Sequence, residues 1–299
     1  MKKRKNKKNY YTFGNFILII VLIVLCVIIF KPFNSSTNEE KEDIKKEEKI
    51  LTEEEKKLQT LNNIDKKLDF FKMENLDRYI AYKEKHNDLD DETIVVYVNI
   101  GLDQDFYTNV KDAPNKDTNK VITNKFYFLG SNYVPSDMVV INSKYTIGER
   151  KMQKDAANAF EEMVKDALEE GYTVKAASTY RSYTYQEGLY NKYKANDGEE
   201  KADTYSARPG YSEHQTGLAV DVSNGKTSYT DFGNTKEFNW MKENAYKYGF
   251  ILRYTKETEF ITGYMNEPWH YRYVGKDIAN YIHNHPMTYE EYFVRFLDK

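Results

Sequence analysis

The hydrophobic pattern changes character several times along the chain. Residues 16–30 (FILIIVLIVLCVIIF) are apolar without interruption, and with the aromatic residues before them the run reaches back to Tyr10. The 10–30 stretch therefore meets the roughly 20 residues that a helix needs to cross a bilayer. From 31 to 57 the pattern vanishes. NSSTNEEKEDIKKEEKILTEEEKK is charge-dense and nearly free of aromatics, so it buries too little apolar area to offset chain entropy and reads as a stalk, fraying into helix at its far end. Beyond it Leu58, Leu61, Ile64, Leu68 and Phe71 recur at helical spacing, which either opens a domain or extends the stalk.

From there the periods alternate. Asn75 is placed to cap a short helix over LDRYIAY. Residues 93–101 (TIVVYVNIG) are rich in β-branched side chains and end on glycine, as a strand does; 126–129 and 138–141 are shorter strand candidates. Met152, Ala156, Ala159, Met163 and Ala167 share one face of a helix over 149–170, with Gly171 placed to close it. A strand over 172–179 follows, then a helix from Ser182 as cap through Tyr193, and a polar loop over 197–211. In 217–222 Leu218, Val220 and Val222 face one way while Ala219 and Asp221 face the other. A helix over 237–248, strands over 250–254 and 269–274, and a helix over 276–285 stopped by Pro286 complete the pattern. Thr288 with Glu291 forms a capping box for the last helix. Helices and strands mix without a regular βαβ alternation, so the fold class is α+β.

Charge sharpens the zoning. Residues 1–9 (MKKRKNKKN) are basic with no acid, which puts that end inside the cell and everything after Lys31 outside. A cleaved signal peptide is the rival reading, but KPFNSSTNEE offers serines and no A-x-A pattern. The organisation expected is a cytoplasmic tail at 1–9, a single-pass membrane anchor at 10–30, a stalk at 31–57 and an extracytoplasmic domain at 58–299. The formal net charge of −3 argues against a strongly polyanionic or polycationic partner, nucleic acid included. The lone cysteine, Cys26, lies in the apolar run behind Leu25, which is not the small residue a lipoprotein signal wants. The exported part thus has no disulfides, and its stability rests on a hydrophobic core, or on a core plus a metal.

The candidate chemistry gathers around few residues. SEHQTGLAVD, 212–221, sets one of five histidines in a glycine-containing loop seven residues before an aspartate on the less apolar face of a strand. A second histidine and carboxylate follow in EPWH, Glu267 to His270. Two imidazoles and one carboxylate form a known catalytic zinc pattern, three protein ligands with a fourth position open, so His214, Asp221 and His270 are assigned as ligands of Zn2+. Glu267 is then left beside the metal, where a carboxylate can take a proton from the attacking water and return it to a leaving amine. Arg181, where the 172–179 strand ends, is the candidate for holding an oxyanion. Gln186, one turn into the next helix, and Ser212 are candidate substrate-binding groups; a helix-surface or loop-orienting role is the plain alternative for both. His283 and His285 lack a carboxylate motif and stand at a helix end, where histidines meet exposed carbonyls, so they read as structural. His86, in KEKHND, reads as a solvated loop residue. The many tyrosines fit half-buried positions with wet hydroxyls better than sugar stacking.

Tyr180-Arg181-Ser182, Ser212-x-His214-x-x-Gly217-x-Ala219-x-Asp221 and Glu267-Pro-Trp-His270, in that order, resemble the motifs of the VanY-type D-alanyl-D-alanine carboxypeptidases, within a zinc peptidase group that includes D-Ala-D-Ala dipeptidases and L,D-carboxypeptidases. The resemblance covers roughly 58 to the C-terminus and leaves the stalk outside. It implies a small antiparallel sheet flanked by helices with zinc in a cleft, and a zinc exopeptidase acting on peptidoglycan stem peptides. It carries the ligand role to His214, Asp221 and His270, the acid and base role to Glu267, a transition-state role to Arg181 and substrate-binding roles to Gln186 and Ser212.

The expected function is an anchored zinc carboxypeptidase that removes the terminal D-alanine of cell-wall stem peptides or precursors. An L,D-carboxypeptidase or a D-Ala-D-Ala dipeptidase on the same scaffold is the near alternative, and a long extracellular tether favours a polymeric wall substrate over a free dipeptide. A zinc-containing wall-binding protein without catalysis is the alternative of another class. Glu267 and Arg181 speak against it, because a pure binder needs neither.

Overall fold

Among the described residues the first helix lies inside the charged segment. Thr52 and Glu55 exchange hydrogen bonds in a capping box, and the helix Glu53–Thr60 follows from it. These are among the first of residues 51–298, which the computed structural model describes. The basic tail at 1–9, the apolar run at 10–30 with Cys26, and the stalk as far as residue 50 lie outside the described residues. Among the described residues no helix is long and apolar enough to cross a membrane.

The helical spacing from Leu58 to Phe71 does not yield one helix. Asn62 and Asn63 take left-handed backbone angles, φ 52° and 51°, and break it after Thr60. Asparagine tolerates that conformation better than most residues. The next helix, Leu76–Lys85, does start after Asn75, but that side chain makes no cap; it bonds Asn99 and Arg78 instead.

The expected strand over 93–101 is a helix, Asp91–Ile100. Asp90 caps it, accepting from the Thr93 N–H at 2.8 Å, with Asp91 and Glu92 in the first turn. Ile94, Val95, Val96 and Val98 have no exposed surface. A helix buried over most of its surface shows little amphipathic period, and its β-branched residues then imitate a strand. Burial outweighs their modest helix penalty, which is a few tenths of a kcal/mol each.

The strands are short. β1 (Lys111–Asp112) pairs in parallel with β2 (Tyr127–Phe128), and β3 (Met138–Val140) pairs antiparallel with β4 (Lys151–Gln153). The main sheet holds β5 (Lys175–Ser178), β6 (Ala219–Ser223), β7 (Phe250–Leu252) and β8 (His270–Tyr273) in the order β5-β6-β8-β7, antiparallel throughout. The fold is thus α+β, a small antiparallel sheet with helices around it. Helix Lys154–Glu169 buries Phe160, Met163 and Val164 in the core shared with Phe250 and Val222, and Gly171 at φ 86° follows its end. Ser182 caps helix Tyr183–Asp197 as expected. The expected loop over 197–211 contains a further short helix, Glu199–Asp203. The last helix, Tyr289–Phe296, opens on the Thr288–Glu291 capping box.

Register then does the positioning. Asp221 on the central strand β6 stands opposite His270 on β8 and opposite Ser178 on β5, where an irregularity between Ala176 and Ser178 ends the regular pairing. One sheet row thereby brings together three segments far apart in the chain.

Candidate metal centre and active site

His214 is set by its loop. Residues Glu213–Thr216 form one 3-10 turn, with the Ser212 hydroxyl accepting from the His214 N–H at 3.3 Å. Gly217 closes the turn at φ 70°, and a Cβ there would meet the Met138 sulfur at 2.7 Å, so the position needs glycine on both counts. The His214 Nδ1 lies 2.6 Å from the Thr179 carbonyl. A carbonyl only accepts, so that nitrogen carries the proton and Nε2 keeps the lone pair. Nε2 points at Asp221 Oδ2, 3.2 Å away.

His270 is turned the other way. Its Nδ1 is 3.1 Å from Asp221 Oδ1, and its Nε2 is 3.1 Å from Glu213 Oε2. The two rings meet edge to face, with centroids 5.0 Å apart. Electrostatics separate them. Burial holds the His214 ring below the ordinary histidine range, helped by the nearby Arg181 charge. Burial would lower His270 as well, but its hydrogen bonds to Asp221 and Glu213 outweigh that and raise it to about 9. Asp221 would be raised by burial, yet His214 and Arg181 hold it well below the usual carboxylate range.

These donors suit one cation. Ligand atoms about 2.0–2.2 Å from a single zinc ion lie roughly 3–4 Å from each other. The two carboxylate-to-ring separations, 3.2 and 3.1 Å, fall in that span, and one atom from each of the three residues lies within 4.8 Å of the others. Two imidazole nitrogens and a carboxylate oxygen, all buried, are the donor set that zinc takes at catalytic sites. Among the described residues this is the one such cluster of His, Cys, Asp and Glu.

Glu267 sits three residues before His270, with Oε2 3.8 Å from His270 Nδ1. Burial pushes its carboxyl up to about 8. Its backbone N–H donates to the Tyr254 carbonyl at 3.0 Å, which fixes the segment to the strand β7 end. Arg181 leaves β5 and points inward: Nη2 donates to Asp221 Oδ2 at 2.6 Å and Nε to Ser178 Oγ at 3.0 Å. Gln186 is committed on one side only. Its Nε2 donates to the Ala207 carbonyl at 2.9 Å, while Oε1 is buried with no partner. A cleft of about 220 Å³ joins Arg181, Gln186, Ser212, Glu267, Tyr254 and Trp269 around the three ligand candidates. All seven residues singled out in the sequence therefore line one cleft. The hydroxyl of Ser212 is seen orienting the loop.

The histidines read as structural stand apart from the cleft. His283 stacks on Tyr246 with centroids 3.5 Å apart, and His285 stacks on Tyr281 while facing its carbonyl. His86 ends a helix and stacks on Tyr82.

Sequence reasoning missed Glu213, although it neighbours His214. It is buried, and its Oε1 accepts from Arg253 Nε at 2.8 Å and Arg272 Nη1 at 3.2 Å. It also missed Tyr254, whose ring lies 4.9 Å from that of His270. No local signal marks either: a glutamate in a polar loop looks ordinary until its partners, 40 and 59 positions away, are known.

Comparison with known proteins agrees with this geometry. Residues 149–276 match the family described as VanY, D-alanyl-D-alanine carboxypeptidase. The chain is 42% identical over 205 residues to the carboxypeptidase candidate YodJ of Bacillus subtilis (strain 168), covering 64% of this chain and 75% of that one. Among solved structures it is similar to the LdcB LD-carboxypeptidase, at 42% identity and a TM-score of 0.59, over 63% of this chain and 91% of the other. It is also similar to a variant of the vancomycin resistance D,D-pentapeptidase VanY from a VanB-type cassette, solved in complex with Zn(II), at 32% identity and a TM-score of 0.50, over 58% and 98%.

Proposed function

Since the chain belongs to the VanY family of carboxypeptidases, which act on peptidoglycan peptides, we propose that it is the zinc-dependent D,D member of that group, releasing the terminal D-alanine of stem peptides or their precursors. The observation that carries this reading is the convergence of His214, Asp221 and His270 beside a buried Glu267 whose carboxyl is pushed up to about 8.

His214, Asp221 and His270 would hold the zinc ion, which when bound would supply Lewis-acid polarisation of the scissile carbonyl and activation of water at neutral pH. The remaining work belongs to side chains. Glu267 is the base that takes the proton from the attacking water at its Oε atoms and hands it to the leaving amine nitrogen. A carboxyl raised by burial above its ordinary range suits both halves of that transfer. The guanidinium of Arg181 stands at the edge of the cleft and offers fixed positive charge to the oxygen that becomes anionic. The free Oε1 of Gln186 is an acceptor for a peptide N–H, because its Nε2 is already occupied by Ala207. Ser212 keeps His214 in place and faces the same cleft, where its hydroxyl serves the substrate carboxylate.

The similarity to the LdcB LD-carboxypeptidase favours a second reading, L,D cleavage of tetrapeptides, on the same residues. Product masses after incubation with penta-, tetra- and dipeptide, with and without chelator, separate the two. The D,D reading expects loss of one alanine from the pentapeptide, abolished by chelator. Loss only from the tetrapeptide would establish the L,D reading. No cleavage of any of the three would remove the enzyme.

The location proposed is extracytoplasmic, with residues 10–30 as a single-pass anchor and the charged residues from 31 up to the helix Glu53–Thr60 as the stalk that carries the enzyme into the wall. Its support is the uninterrupted apolar run behind a basic tail.

A further inference from the structure

Behind the metal centre lies a buried group of four charges that the proposed reaction does not use. Glu213, Arg253, Arg272 and Glu290 all have side chains no more than 2% exposed. Arg253 donates to Glu213 on one side and to both oxygens of Glu290 on the other, at 2.8 and 3.1 Å. Arg272 donates to Glu213 and to the carbonyls of Val121, at 2.7 Å, and Tyr273, at 3.0 Å. The charges balance in pairs, which is what allows them to be buried. Within this group the two oxygens of Glu213 do different things. Oε1 takes both arginines, whereas Oε2 is turned to the Nε2 of His270 at 3.1 Å.

We propose that Glu213 is a positioning residue whose Oε2 accepts the His270 Nε2 proton and so commits Nδ1, and not Nε2, to the cation. The proposal rests on the zinc reading above and extends it to a residue that is not one of the three converging donors. The contrast with His214 supports it. There the non-ligating nitrogen meets the Thr179 carbonyl, and the ring presents Nε2; in His270 it meets a carboxylate, and the ring presents Nδ1. A purely structural ion-pair group would gain nothing from turning one carboxylate oxygen away from its arginines, and such groups are commonly replaceable by apolar residues. A carboxylate on the outer nitrogen both fixes the ring and makes it a stronger donor, and removal of such a partner typically weakens metal binding about 10- to 100-fold.

The test uses the full chain with zinc. A long-range proton–nitrogen NMR spectrum of the five histidines, with His270 assigned against His270→Gln, reads the ring directly. The wild type is expected to show metal on Nδ1 and a slowly exchanging proton on Nε2. Glu213→Gln is expected to raise the zinc dissociation constant by about 10- to 100-fold in a chelator competition and to lower kcat more than it changes KM. Glu290→Gln breaks the far side of the same group, and is expected to lower the melting temperature while zinc affinity stays within about twofold. Metal on Nε2 of His270 overturns the proposal, as does equal loss of zinc affinity in the two variants or none in Glu213→Gln. If Glu213→Gln does not fold, the wild-type spectrum decides alone. A wild-type chain that takes up no zinc defeats the parent reading, and is told apart by needing no variant.

Discussion

At Glu267 a buried carboxyl whose proton is held up to about 8 stands 3.8 Å from a ring nitrogen of His270. It is not one of the three converging donors. Glu267→Ala is therefore expected to retain zinc, by metal analysis after dialysis, and to lose about 10²- to 10⁴-fold in kcat on a stem peptide. Turnover at the wild-type rate would remove the base from the scheme. Lys125 tests a buried charge packed against the cleft wall. It is almost fully buried, lies 4.3 Å from the Tyr264 ring centroid, and donates to the Asp203 carbonyl at 2.6 Å. Burial lowers its pKa to about 8. The unfolded chain keeps that proton up to about 10.5, so between the two values the unfolded state binds more protons and folding gains as pH rises. The stability of the wild type relative to Lys125→Met should increase across pH 8 to 10.5 by on the order of 2–3 kcal/mol in denaturant titrations. A flat difference would mean that the ammonium is not desolvated. Most of this was open to sequence reading only in part: His214 and Glu267 advertise themselves by short motifs, whereas Glu213 and Lys125 acquire their roles from partners remote in the chain.

Among elements, the capping signals at Ser182 and Thr288 were the most legible, whereas Asn75 bonds Asn99 and Arg78 and makes no cap. Ser182, and Thr288 with Glu291, act as their spacing suggests, because a cap is a local hydrogen bond that needs no other part of the molecule. Thr288 is also buried, and its box starts the helix that carries Glu290 to Arg253. Thr288→Ala should destabilise the domain by about 1–2 kcal/mol in equilibrium unfolding, with kcat little changed. A stability change below about 0.3 kcal/mol would show that the helix starts without it. The segment 93–101 failed for the opposite reason. Its β-branched residues suggest a strand, but Ile94, Val95, Val96, Val98 and Ile100 are all buried in the core, and burial decided its conformation. The break at Asn62 and Asn63 was likewise hidden, since hydrophobic spacing continued straight across it.

For the molecule as a whole, the first helix among the described residues is capped by Thr52, inside the segment whose composition suggests a stalk. A chain lacking residues 1–50 should therefore hydrolyse a soluble stem peptide at the full-length rate while failing to sediment with membranes. Membrane sedimentation of the shortened chain would refute the proposed anchor, and a lost rate would show that the first fifty residues support the fold. The sequence by itself determined what depends on neighbours along the chain: the apolar run, the charge zoning, the caps at Ser182 and Thr288, and the residue types at metal-ligand and acid–base spacing. Only the tertiary structure decided which atoms meet. Asp221 faces His270 because β6 pairs with β8 in one register, and a slip of one residue would turn the carboxylate to the other side of the sheet. Which nitrogen each ring presents depends on Thr179 and Glu213, brought up from 35 and 57 positions away. Hydrogen bonds act over about 3 Å whatever the separation in sequence, so contacts of that kind are written into the chain but can be read only after it has folded.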